Sequence, residues 1–410
     1  MSAAKPFQLV LNAGSSSVKY ALYRTSLAAG APAWNLVLQG LAEGIGTGTQ
    51  CRIKHETLEG KKVHDVSLPD HRTALASVMD LLPKEYTASI HSIGHRVVHG
   101  GEKYKAAARV DASVIESIKE ASALAPLHNP WNLLGIEVSQ ELLGRDCPQV
   151  AVFDTAFHQT MPPHAFMYAL PYELYEKHHI RRYGFHGISY QYVTEETARV
   201  LGKPVEQLNA IVCHIGNGTS MCAIRGGKCI DTTMGLTPLE GLVMGTRSGD
   251  LDPAVPLHLM SNLGYTAGEV NNLLNKQSGL LGLCGTSDDR DVENRYFDKE
   301  RAGTLAKEVQ VHRMRKYLGA YIVALCGEVD ALVFTGGAGE KSHLLRTLVC
   351  EGLAGLGLEV DEAANRAKEG RFSENTRLSA AGSRTQIWVI PTAEELCIAQ
   401  QTFRVVNGGS

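Results

Sequence analysis

The chain lacks an excess of charge of either sign. Its 40 lysines and arginines stand against 43 aspartates and glutamates, a formal net charge of −3. Nucleic-acid binding therefore has no electrostatic footing, since a phosphate backbone needs a basic surface. No apolar run reaches membrane-spanning length. Residues Met1 to Pro6 lead into the first apolar segment without the hydrophobic core of a secretory signal. There is no Cys-x-x-Cys, and the nine cysteines are odd in number. Cys213, Cys222 and Cys229 lie in or near expected strands, where buried free thiols are expected over zinc ligands. A reduced cytoplasmic enzyme fits all of these absences.

Two nucleotide motifs are also incomplete. Gly339-Glu340-Lys341-Ser342 ends like a Walker A loop, but Glu340 stands where that loop needs glycine. Gly337-Ala338-Gly339 opens a dinucleotide fingerprint whose third glycine is replaced by Ser342. Even so, a strand followed by this much glycine lets backbone approach a nucleotide closely.

What is present is more specific. At 410 residues, with 44% hydrophobic and 20% charged content, the chain can fill two ordinary globular cores. The segment Leu9-Val10-Leu11-Asn12-Ala13-Gly14-Ser15-Ser16-Ser17-Val18-Lys19-Tyr20 reads as strand, tight turn and strand. Small residues at the bend let N–H groups and hydroxyls crowd around an anion, and Lys19 adds a point charge. A counterpart runs from Ala210 to Ile224, with Gly216-Asn217-Gly218-Thr219 at its bend. Either alone is an ordinary hairpin; together they suggest a duplicated domain holding a phosphate chain.

Residues 7–66 read as strands and hairpins. Residues 111–125 read as a helix stopped by Pro126, and a second helix runs from Pro130 to Gly144 with Leu134, Val138 and Leu142 on one face. Val150–Phe153 is a buried strand ending at Asp154. A long helix is expected over 303–326, then the strand Ala331–Phe334 and a turn from Thr335 to Glu340. A last strand, Ile387–Ile390, leads into a helix beginning near Glu394. Strands followed by strand–helix alternation, twice over, make an α/β protein of two related halves. No low-complexity linker separates them, so a ligand cleft between closable halves is expected.

Three further clusters pair arginine or histidine with glycine: Gly94-His95-Arg96-Val97-Val98-His99-Gly100-Gly101, Arg182-Tyr183-Gly184-Phe185-His186-Gly187 and Gly245-Thr246-Arg247-Ser248-Gly249-Asp250. A single arginine is ordinarily a solvated surface residue. Several in glycine-bounded apolar settings instead suit a site where two anions meet, because guanidinium binds carboxylate and phosphate bidentately.

These clusters, with the Asn12–Lys19 turn, Phe153-Asp154-Thr155-Ala156-Phe157-His158-Gln159-Thr160-Met161-Pro162 and Gly241–Asp250, closely resemble the acetate kinase family, in order and over essentially the whole chain. The resemblance implies two duplicated ribonuclease H-like domains of the actin, sugar-kinase and heat-shock ATPase type, with a cleft between them. Residues 1–154 plus 394–410 would form the acetate-kinase domain and 155–393 the nucleotide-binding domain. It implies a cytoplasmic homodimer, with no nucleic-acid or membrane partner, that moves the ATP γ-phosphoryl group to acetate with Mg2+ or Mn2+.

It also implies residue roles. Arg96 and Arg247 would hold acetate and the transferring phosphoryl group, and His186 would donate to its equatorial oxygens. Asn12 and Glu394 would position the metal. The family's usual description makes Asp154 an acid/base group; because acetate has no proton to lose, orienting Arg96 or the metal's waters is the role expected here, and His128 matches a further active-site position. Val98, Leu127, Phe185 and Pro238 would line the methyl pocket. Lys19 and His214-Ile215-Gly216-Asn217-Gly218 would contact phosphates. Asp288-Asp289-Arg290 and Gly337-Ala338-Gly339-Glu340-Lys341 would flank the adenosine. The chain departs from the family at Asp289, Ala338, Lys341 and Ala393, all on the nucleotide side. Rival readings are a propionate or longer-acid kinase, a kinase using another phosphoryl donor such as pyrophosphate, and a non-enzymatic actin-like module.

Overall fold

Short apolar runs bounded by Gly, Ser and Asn become the central strands, because a strand covered on both faces has no polar side to present. In the computed structural model, which describes residues 6–28, 31–48, 51–126 and 128–408, the chain divides into two compact units. One joins Met1–Phe157 to Ala393–Ser410, and the other is His158–Thr392.

The first unit holds β1 (Phe7–Ala13), β2 (Ser17–Ala28), β3 (Ala31–Glu43), β4 (Arg52–Thr57), β5 (Gly60–Asp65), β6 (Ile90–Val97), β7 (Ala108–Arg109) and β8 (Gln149–Phe153). They form one sheet in the order β5-β4-β3-β2-β1-β6-β8-β7. The β1, β6 and β8 strands run parallel, while β1 to β5 form an antiparallel meander. At the β5 edge, Lys61, Lys62 and Val63 are exposed, and the lysines discourage pairing with another chain.

The second unit repeats the plan with β9 (Ala210–Ile215), β10 (Thr219–Arg225), β11 (Lys228–Thr232), β12 (Ala331–Thr335), β13 (Thr376–Arg377) and β14 (Gln386–Val389). Their order is β11-β10-β9-β12-β14-β13, with β9, β12 and β14 parallel and β9 to β11 antiparallel. The shared order and strand sense are those of a duplicated ribonuclease H-like fold.

The expected helices form within a few residues of their signals. Asp111 caps Ala112–Ala121 by accepting the Val114 N–H, and Gly144, at φ 84°, ends Asn129–Leu143. The long helix spans Arg301–Ala324 and buries Ala306, Gln310, Met314, Leu318 and Tyr321 at helical spacing. The expected turn from Thr335 differs: Gly336–Lys341 is a short helix, because the Glu340 carboxylate accepts the Gly336 N–H that would otherwise lack a partner.

The helix Glu394–Val406 completes the first unit by burying Cys397, Ile398, Ala399 and Thr402. Its seat on β6 exists only because residue 94 is glycine. A β-carbon there would lie 2.3 Å from Thr402 Oγ1 and 2.6 Å from Ile398 Cγ2. Gly94→Ala should therefore destabilise by about 1–3 kcal/mol, as overpacking does. Gly319→Ala, mid-helix with nothing within 4 Å of the added carbon, should instead stabilise by about 0.5–1 kcal/mol. The shift of the urea unfolding midpoint reads both. A Gly94→Ala midpoint equal to or above wild type would show that the terminal helix is not seated against Gly94.

Candidate active site

In the first unit the polar residues collect at the C-terminal ends of the parallel strands, the place where open α/β sheets bind ligands. Asn12 is near the end of β1, Arg96 near the end of β6, and Asp154 directly after β8. The Asp154 N–H extends the ladder by donating to the Val97 carbonyl at 3.0 Å. Its fully buried carboxylate accepts from Arg96 Nε at 3.1 and 3.2 Å and from Nη2 at 2.5 Å. Arg96 Nη1 donates to Asn12 Oδ1 at 3.3 Å. Of the guanidinium's N–H groups, one on Nη1 and one on Nη2 have no partner among the described residues. Burial alone would lower the Arg96 pKa, but Asp154 and Glu394 outweigh it and raise it.

Glu394 opens the terminal helix. Burial, with Asp154 and Glu395 nearby, pushes its carboxyl up to about 7 despite the Arg96 charge. Among the described residues it accepts no hydrogen bond. A carboxylate short of donors and an amide oxygen, each close to Arg96, are hard oxygen donors of the kind Mg2+ takes, so Asn12 and Glu394 fit that ion. Lys19, on β2, is ion-paired with Glu395.

The chain after β6 leaves the sheet and needs other partners for its backbone. Asn132 accepts the Val98 N–H and donates to the Ala13 carbonyl, so one side chain ties this segment to the β1–β2 turn. Asn129 accepts the His99 N–H and donates to the His99 carbonyl, and Thr155 accepts the Gly100 N–H. These positioning residues were missed in the sequence, where two amides three apart around Pro130 were the available signal. Val98 is buried and sits one residue past β6, in a bend. His128 caps Asn129–Leu143. Leu127 lies outside the described residues.

The second unit builds its site at the matching strand ends. The β9–β10 turn closes with the Gly216 N–H on the Gly218 carbonyl, and Gly245 N–H on the Asn217 carbonyl straps it to the Arg247 segment. His186 starts the helix Gly187–Leu201 at φ 59°, a left-handed conformation that a non-glycine residue adopts only when held. It is held by Ser220 Oγ, 2.8 Å from its Nδ1, and by stacking on the His214 ring with centroids 4.2 Å apart. Arg247 Nη1 donates to the Pro238 carbonyl at 2.9 Å. A β-carbon on Gly218 would lie 3.3 Å from His186 Nε2 and 3.6 Å from Arg247 Nη1. Both side chains thus end over one stretch of bare backbone. Phe185 is buried one residue before His186.

From this turn a cavity of about 830 Å³ runs past Asn217 and Gly245 to Asp288, Asp289 and Arg290, and on to Gly337, Ala338 and Lys341. It brings together the expected phosphate turn and both expected adenosine segments. Asp288 is engaged by Arg290, and Asp289 accepts from the fully buried Lys307 at 2.9 Å. Lys307 was not anticipated; its place among the helix's core positions gave no sequence signal. Gln310 Oε1, also at this cavity, has no partner among the described residues. Ile215 and Gly339 are buried behind the cavity wall, and Glu340 turns its carboxylate to the Gly336 and Thr392 N–H groups. Arg182 is a brace: it donates to the carbonyls of Thr232, Thr233 and Met234 and pairs with Glu240 at 2.6 Å.

The profile of the acetokinase family matches residues 7–400. An acetate kinase from Dictyoglomus turgidum is 47% identical over 406 residues, covering 97% of each chain. The crystal structure of Porphyromonas gingivalis acetate kinase is 41% identical with a TM-score of 0.88, covering 98% of this chain and 99% of that one. A propionate kinase structure from Francisella tularensis is 43% identical with a TM-score of 0.89, covering 97% of this chain and 99% of that one.

Proposed function

The chain belongs to the acetokinase family, and on that premise we propose that it transfers the γ-phosphoryl group of ATP to acetate, reversibly and in line, giving acetyl phosphate and ADP. The observation that carries the acceptor half of this reading is Arg96: Asp154 orients its guanidinium and two N–H groups remain for an oxyanion.

Carboxylic acids of this kind ionise at a pKa of roughly 4 to 5, so acetate arrives as a carboxylate and needs no general base. The barrier is repulsion between an anionic nucleophile and an anionic phosphoryl group, which fixed positive charge relieves. Arg96 would bind the acetate oxygens. Arg247 and His186 would hold the transferring phosphoryl group, with the glycine turn 216–218 and Lys19 on the other phosphates. The cavity at Asp288–Arg290 and Gly337–Lys341 would take the nucleoside. Mg2+, or Mn2+ in its place, would be held by Asn12 and Glu394 and would supply charge neutralisation on the phosphates. With no base required, Asp154 is a positioning residue for Arg96.

Val98, buried beside the Arg96 strand end, favours acetate over the longer acid named for the Francisella relative. Among the described residues no helix is long and apolar enough to cross a membrane; a cytoplasmic location remains part of the proposal. So does the homodimer. Its support is the helix Ala254–Leu263, which has no buried residue and exposes Leu257 and Leu263.

Acetyl phosphate trapped as its hydroxamate tests the reaction, with GTP and pyrophosphate offered beside ATP. Arg96→Ala should lower kcat/KM for acetate by about 10²–10³-fold, the loss typical of one charge-stabilising donor. Asp154→Asn should lower kcat severely, while the ionisations in the wild-type pH profile persist. Disappearance of one that controls turnover would make Asp154 a base.

Val98→Ala removes two methyl groups and makes room for about one methylene, worth roughly 1–3 kcal/mol. KM for propionate should fall by several-fold to tens-fold, with acetate turnover within about tenfold of wild type. An unchanged propionate-to-acetate preference would make Val98 a core residue only.

For the assembly, light scattering should give twice the mass of one chain, and Leu257→Glu with Leu263→Glu should halve it. A wild-type mass of one chain would refute the dimer.

A further inference from the structure

Sequence patterning assigned all three strand cysteines of the second unit to buried free thiols. Cys213 fits that expectation, packed in an apolar core with Ile211, Ile215 and Met221. Cys222 and Cys229 are likewise buried and free, but their sulfurs meet each other and a histidine. Cys229 pairs in register with Ile224, two residues on from Cys222, so both thiols emerge on one face of the β10–β11 hairpin. Their sulfurs are 3.4 Å apart, and His158 Nδ1 lies 3.1 Å from Cys229 Sγ. The three ligating atoms fall within 4.8 Å of one another, and all three residues are completely buried.

The histidine is already set for a further role. Its Nε2 is 2.8 Å from the Phe185 carbonyl, which can only accept, so Nε2 carries a hydrogen and Nδ1 is the ring nitrogen that faces the sulfurs. A carbonyl fixing the tautomer of a ligating histidine from behind is the usual support for a metal-bound imidazole. Two sulfurs and an imidazole nitrogen are soft and borderline donors, the set that selects Zn2+ over Mg2+. Zinc–sulfur and zinc–nitrogen distances of about 2.3 and 2.0 Å place tetrahedral ligands about 3.5–3.8 Å from each other. The Cys222–Cys229 and Cys229–His158 separations here are shorter by a few tenths of an ångström, and all three atoms lie within 4.8 Å of one another, so small side-chain adjustments would complete the set.

We propose that Cys222, Cys229 and His158 form a site for one Zn2+ ion in the second unit, distinct from the Mg2+ donors. Binding forms two Zn–S bonds and one Zn–N bond, displaces the thiol protons to solvent and moves no electrons. The fourth position is left to a small exogenous ligand such as water. The site stands behind His186. His158 holds the carbonyl of Phe185, one residue before it. The Tyr190 ring edge packs on His158 with centroids 5.5 Å apart, and the Tyr190 hydroxyl meets Ser220, the partner of His186. An occupied site would fasten the strained turn that presents His186.

The test is titration of the reduced, chelator-treated full chain with Co2+ as a spectroscopic stand-in, followed by displacement with Zn2+. One equivalent should produce thiolate-to-cobalt charge-transfer absorption in the near ultraviolet and the visible bands of a four-coordinate ion, and Zn2+ should abolish both. Cys222→Ala, Cys229→Ser and His158→Asn, each confirmed as folded by circular dichroism, should weaken binding by at least about tenfold. Cys326→Ser, which alters an exposed thiol, should leave it unchanged. No charge-transfer band in the wild type would overturn the proposal. So would a band that survives loss of Cys222 and Cys229, or purification of the protein with those two joined as a disulfide.

Discussion

The Asp154 carboxylate on the Arg96 guanidinium is the contact around which the polar strand ends of the first unit are arranged. As a stabilising device a buried ion pair is poor, because desolvation consumes most of the Coulombic gain. As an orienting device it is strong: a planar fork held at Nε and Nη2 can present its remaining N–H groups in only one way. Parallel pairing of β6 with β8 puts the two residues at neighbouring strand ends. Asn129, Asn132 and Thr155 then hold the departing backbone, so the fork rests on a fully bonded support.

The elements that sequence made legible are those decided locally. Continuous apolar runs ending in Asn, Gly and Ser marked β1, β9 and β12, and proline and glycine marked the ends of Asn129–Leu143. What escaped is decided by distant partners. Lys307 looked like one more polar residue on a long helix, and only the fold puts Asp289 and Glu293 against it. Arg182 carried the same glycine-flanked signature as Arg96 and Arg247, yet three carbonyls from residues 232–234 and Glu240 consume its donors. The Thr335 turn became helical because of a carboxylate four residues on, a contact that glycine counting does not see. Val98 lies in a bend just past β6, where its N–H is taken by Asn132, a partner 34 residues away.

The two units show how one topology can be used twice for unlike chemistry. In each, the ends of three parallel strands gather the polar residues. The first unit fills that place with charged side chains, Arg96 and Asp154, suited to gripping a small anion. The second leaves it open with glycine at 216, 218, 336 and 337, so that backbone N–H groups and a long cavity can follow an extended ligand. The His186 ring, stacked on His214 and hydrogen-bonded to Ser220, stands beside those backbone groups as a fixed side chain.

Chain order gives the terminal helix a meaning beyond packing. The first unit is discontinuous: its sheet is encoded before residue 158, but the helix that covers Gly94 and carries Glu394 follows the whole second unit. During synthesis the second unit is complete while β6 still shows an uncovered groove where Ile398 and Thr402 belong. The half encoded first is therefore finished last, and its acidic donor joins Arg96 and Asp154 only after the other unit's sheet has been made. The wait exposes an apolar sheet face to any chaperone or neighbouring chain. It also guarantees that a chain cut short at the second unit carries a guanidinium clamp without its opposing carboxylate.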